Sequence, residues 1–335
     1  MNRLLRIVAC TILSLGCCSG FAFSQMGGSA DPEMQQQFFD DLQTTQAEME
    51  QFSQSFQTLM ADWQKDLQAK AMVEFPKRMA NASTPMTQEQ MMRLGMEIAV
   101  DEMVALQPKI KEKSSEFFSE EQQQKMQLRM FQMKQGLMDR LDSSDNPEVV
   151  QGAFGTEMLQ LMGGQPDFLE LTPEQKELIL KQQKETSIES MSVMMQASAK
   201  ILTENPERVQ EIQRLAKEIQ EAESDEEREK IAKELQVFGS DWFKESGPQL
   251  KKILREGHEN FMRALTDAQR AKIKAIMVDM PDYLKKRFDD FDKNGGALPS
   301  LDSWVPGMGA PGGMTNPNRE APRKRSGGGG RAFPE

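Results

Sequence analysis

The chain has 335 residues and a formal net charge of −11, with 52 acidic against 41 basic side chains, one histidine and three cysteines. So acidic a surface repels nucleic acid and anionic lipid, which excludes both as expected partners of the folded body. One His, together with Cys10, Cys17 and Cys18 all near the N-terminus, supplies neither a zinc site, a histidine-dependent triad nor a disulfide framework, and no cofactor is expected.

The chain opens on Arg3 and Arg6, and an apolar run from Ile7 to Phe23 follows, closing on Ala22-Phe23-Ser24. This reads as a cleavable export signal over residues 1–24, which predicts a periplasmic or extracellular mature chain. A lipoprotein form, suggested by Leu15-Gly16-Cys17, is the lesser alternative. No later run approaches the roughly 18 apolar residues of a membrane span, so none is expected in the mature chain.

Low aromatic content, a single Tyr283, and many Gln, Glu, Lys and Met predict an all-α protein. The expected fold is long amphipathic helices in hairpins, partly coiled-coil-like. Residues 25–162 form the expected N-terminal helical region, 163–293 the C-terminal one, and 294–335 a disordered basic tail that holds ten of the 23 glycines.

Asp31-Pro32 starts the first helix, on which Phe38, Leu42, Thr45, Met49, Phe52, Phe56, Leu59 and Trp63 form a seam of 3.5-residue period. The seam wants a partner helix, from this chain or from a second copy. Phe75-Pro76 and the run Asn81 to Pro85 interrupt the pattern. Met86-Thr87-Gln88-Glu89-Gln90 opens the next helix, Pro108 another, and Phe118-Ser119-Glu120-Glu121-Gln122 a third, which carries Met126, Met130, Met133 and Leu137 on one face. Pro147 starts a further helix, and Gly163-Gly164-Gln165-Pro166 separates the two halves.

Leu171-Thr172-Pro173-Glu174-Gln175 then opens a helix bearing Met191, Met194 and Met195. A charged hairpin follows Asn205-Pro206, with a capping box expected at Ser224. Gly247-Pro248 is expected to begin the next helix, and Leu265-Thr266-Asp267-Ala268-Gln269 opens the one after it. In each such box the Thr or Ser oxygen accepts the N3 backbone N–H, and the N3 glutamine, or Glu227 in the Ser224 box, reaches back to the cap's own N–H. A weak internal repeat is suggested by matching Thr87 with Thr172, Pro108 with Pro248 and Ser119 with Thr266.

Two boxes of the form Leu-Thr-x-x-Gln, Leu171, Thr172, Gln175 and Leu265, Thr266, Gln269, give the chain a resemblance to the Spy/CpxP family of periplasmic chaperones and envelope-stress proteins. It covers less than half of the chain. The resemblance implies a helical, non-enzymatic protein that binds unfolded or partner proteins, and a homodimer. Flexible, polarizable Met126, Met130, Met133, Met191, Met194 and Met195 are the candidate client-binding residues; gap-filling between helices is the competing account of the same side chains. The alternative function is a structural coiled-coil scaffold or cell-surface protein that self-associates through the Phe38 to Trp63 seam. No grouping of nucleophile, base and orienter supports an enzyme. His258, between Gly257 and Glu259, is expected to face solvent.

Overall fold

The computed structural model describes residues 32–80, 86–141, 143, 147–205, 207, 210–211, 214–215, 217–218 and 225–294. The export signal, the Ser224 box and the tail beyond Asn294 lie outside the described residues. Among those described, every regular element is helical: α1 Pro32–Leu42, α2 Gln46–Ala80, α3 Gln88–Ala105, α4 Gln107–Phe117, α5 Glu120–Leu141, α6 Pro147–Gly163, a 3₁₀ turn Asp167–Leu169, α7 Pro173–Glu204, α8 Asp225–Ala264, α9 Asp267–Val278 and α10 Asp282–Asn294. The all-α expectation holds, and no described helix is long and apolar enough to cross a membrane.

At the centre lies α6. Val149, Val150, Ala153, Phe154, Leu159, Leu161 and Met162 are all buried, as a helix apolar on every side requires. It packs against α5, α7, α8, α3 and α4, while α7 and α8 form the most extensive helix pair. Those two helices approach closely where Gly257 faces Thr186; a Cβ built on the glycine would stand 2.6 Å from the threonine hydroxyl. One apolar cluster runs from Phe38 to Phe288, so the turn at Gly163–Gly164, with Gly164 at φ +83°, does not divide the core.

The first helix is shorter than the seam predicts. It ends at Leu42, Gln43 takes a left-handed φ of 54°, and Thr45 caps α2. A box the sequence reading missed causes the break: Thr45 N donates to Glu48 Oε2 at 2.8 Å and Glu48 N to Thr45 Oγ1 at 3.2 Å. Thr45, taken as a seam residue, is therefore an exposed cap. The other seam side chains are covered by this chain: Phe52 packs edge-on to Phe118 at 5.0 Å, and Phe38, Phe56 and Trp63 are buried.

Two prolines expected to stop or start helices lie inside them. Pro76 is within α2, where the carbonyl its missing N–H would have engaged belongs to solvent-exposed Met72. Pro248 is within α8, which runs unbroken to Ala264. Pro108 and Pro147 do stand in the first turns of α4 and α6.

Candidate functional site

Among the described residues, the four expected boxes form. Thr87, Ser119, Thr172 and Thr266 each accept from the N3 backbone N–H, and Gln90, Gln122, Gln175 and Gln269 each accept from the cap's own N–H.

The last two boxes also grip each other. Gln175 Nε2 donates to Ala264 O at 2.8 Å and to Gln269 Oε1 at 2.9 Å, while Gln269 Nε2 reaches Leu169 O at 3.1 Å and Gln175 Oε1 at 3.1 Å. The oxygen of each amide closes its own helix and the nitrogen ties down the start of the other. A capping box alone accepts Glu as readily as Gln. Only Gln has an N–H to hand across, which accounts for glutamine in both motifs. Beneath them Leu171 and Leu265 are buried in a second apolar cluster with Ile179, Ile273, Phe131 and Phe261.

A weaker version of the same joint stands at the N-terminus of α5. Gln122 Nε2 donates to Gln43 O at 2.8 Å, just before the Thr45 cap, but the Glu48 side chain has no N–H to return. Phe52 and Ile179 stand at equal distances beyond Thr45 and Thr172, and they pack near Phe118 and Leu265, the residues before the partner caps. In these two joints Thr45 stands where Thr172 does, and Ser119 where Thr266 does.

Each cross-bond is a side-chain amide contact worth about 1 kcal/mol, on top of a similar amount for the cap itself. Gln175→Ala and Gln269→Ala should each cost about 1–2 kcal/mol. The double variant should cost less than their sum, because either change already breaks the amide pair. Strict additivity in a urea-unfolding double-mutant cycle would show that the two boxes do not communicate.

Between the two joints the helices leave an open cleft of about 490 Å³. Met126, Met130 and Met133 of α5 line it together with Met162 of α6, while Phe52 and Phe56 of α2 form another wall. Lys111 of α4 and Lys176 of α7 are exposed and line the same cleft, as does Asp167. Arg129 fixes the position of α1 on this wall: its Nε and Nη2 bind both oxygens of Asp41 at 2.6 and 2.9 Å, and Tyr283 Oη donates to Asp41 at 3.0 Å. Burial works against ionisation of Asp41, but the hydrogen bonds and charge of Arg129 outweigh it and hold the carboxyl below its usual range. No family model, curated protein or solved structure matches the chain.

The structure separates the six candidate methionines into two groups. Half-buried Met126 and Met130 and buried Met133 line the cleft, and all three also pack in the main core. Met191 is buried in the main core, and Met194 and Met195 pack against it, with Ser246 Oγ 3.2 Å from the Met194 sulfur. These three do not line the cleft.

His258 departs from expectation most. Rather than facing solvent it is largely buried, its ring 6.3 Å from that of Phe261 and its Nδ1 without a hydrogen-bond partner. Near it lies a charge pair absent from the sequence reading: Lys134 Nζ is 2.5 Å from Glu157 Oε2, with side chains only 5% and 7% exposed. Among the described residues no cluster of three or more His, Cys, Asp or Glu could hold a metal ion.

Proposed function

We propose that the protein is a non-catalytic binding protein of the chaperone or stress-protective type, which holds an apolar segment of an unfolded or partner protein in the methionine-lined cleft. The observation that carries this reading is that Met126, Met130 and Met133 line one open cavity, where unbranched thioethers can remould around varied side chains. Gln123 and Lys176, next to the box residues Gln122 and Gln175, line the cleft, so the boxes tie down helix starts at its walls while the methionine side chains stay adaptable. The resemblance to the Spy/CpxP family, resting on Leu171 to Gln175 and Leu265 to Gln269, is consistent with this reading, as is export. Self-association through the Phe38 to Trp63 seam draws no support from side chains already buried within the chain.

The test is suppression of aggregation of an unfolded client by the mature chain at equimolar ratio. Met126→Gln combined with Met130→Gln, which keeps side-chain length but makes the cleft polar, should weaken client binding by about 2 kcal/mol, roughly thirtyfold in Kd. A wild-type protein that leaves aggregation unchanged would overturn the reading.

A further inference from the structure

The cleft continues into a smaller space. Gln127, Met130, Met133 and Leu159 line both the main cleft and an adjoining void of about 50 Å³, which Lys134 and Gln160 also border. The main cleft is lined largely by apolar surface. At about 30 Å³ per water-sized group, 490 Å³ holds on the order of sixteen such groups, the bulk of one long alkyl chain. Such a volume falls in the range of small-ligand sites.

The mouth carries a charge signature opposed to that of the rest of the chain. Lys111 and Lys176 line the cleft, and neither has a carboxylate within ion-pair distance among the described residues. The flanking lysines on α4 are both paired, Lys109 with Asp66 and Lys113 with Glu116. Arg129 is spent on Asp41, so the free charges at the rim are two ammonium groups against the single carboxylate of Asp167. In a chain of net charge −11 this local excess of cations suits the rim to an anionic group.

We propose that the cleft binds a single-chain anionic amphiphile, its alkyl or acyl tail among Met126, Met130 and Met133 and its head group met by Lys111 and Lys176. The acidic body disfavours an anionic membrane surface, so the ligand is taken as a monomer from solution. This goes beyond the binding of a protein segment in the same cleft and does not require it.

Calorimetric titration of the full mature chain, below micellar concentrations, tests the proposal with tetradecanoate, tetradecyl sulfate and tetradecyltrimethylammonium. Tetradecanoate is expected to bind one per chain, about tenfold tighter than the cationic amphiphile of equal length. Binding of the sulfate at similar strength identifies general anion recognition, whereas preference for tetradecanoate identifies a carboxylate ligand. Lys111→Gln with Lys176→Gln, both exposed and so expected to leave the melting temperature unchanged, should bring the anionic amphiphiles to the level of the cation. Equal affinity for all head groups, or anionic binding indifferent to the lysine changes, would overturn the proposal. If no amphiphile binds but an apolar peptide does, the amphiphile proposal fails and the protein-segment reading stands; if neither binds, both fail.

Discussion

Replacing Lys134 with methionine is expected to lower the unfolding free energy by about 3–5 kcal/mol, the cost of removing one member of a buried ion pair. Methionine matches the lysine stem in length, so packing is nearly kept and the charge is what disappears. Lys134 contacts Glu157 at 2.5 Å, donates to Gln160, and sits 5.8 Å from the centroid of the Phe261 ring. Its removal leaves the Glu157 carboxylate without a counter-charge on α6, a helix on which its neighbours are largely buried apolar side chains. The pair itself is not a large source of stability, because both ions were desolvated to form it. Lys134→Met with Glu157→Leu should therefore recover most of the loss. Urea unfolding with an unchanged m-value would measure both effects. A single variant costing under about 1 kcal/mol, or a double variant no better than the single, would show that the pair is not isolated from water.

What could be read from the sequence was chemistry that spans a few residues. A box depends on a Thr or Ser and a Gln three positions on, so Thr87, Ser119, Thr172 and Thr266 were legible as caps, and Pro108 and Pro147 as helix starts. The Thr45 box was hidden because Thr45 also fitted the period of the seam. The passage of α2 through Pro76 depends on that turn facing solvent, which no local pattern reports. The link between Gln175 and Gln269 joins positions 94 residues apart; its one local sign is glutamine at both N3 positions, where Glu would cap as well. The candidate site was half legible. Met126, Met130 and Met133 form a stripe much like that of Met191, Met194 and Met195, and only packing by α2, α4 and α6 decides that the first borders a cleft while the second fills the contact between helices. His258 was misjudged because its polar neighbours in sequence say nothing of α5, which brings Lys134 and Phe131 towards α8.

Lowering the pH from about 6.5 towards 4 should remove about 3 kcal/mol of stability through His258 alone. Burial, followed by the Lys134 ammonium, pushes the imidazole down to about 4, and the opposing charge of Glu157 recovers only part of that. Because the folded pKa lies below the unfolded one, the unfolded chain binds the extra proton first; the loss sets in near pH 6.5, is mostly realised by about pH 4 and is complete only below it. The interval from the ordinary 6.5 down to about 4, at about 1.36 kcal/mol per pH unit, gives a figure of this size. Asp41 contributes in a lower window, since its depressed carboxyl loses its advantage only as pH falls through and below 3.8. His258→Gln should flatten the stability profile between pH 4 and 6.5 and leave the more acidic limb. As His258 is the only histidine, its ring resonance can be followed by NMR without assignment ambiguity. In Lys134→Met the nearby cation is gone and Glu157 remains, so the imidazole should titrate at a higher pH than in the parent protein. A parent resonance titrating above pH 6, or one indifferent to the loss of Lys134, would separate His258 from the buried Lys134–Glu157 pair and remove the basis for this acid sensitivity.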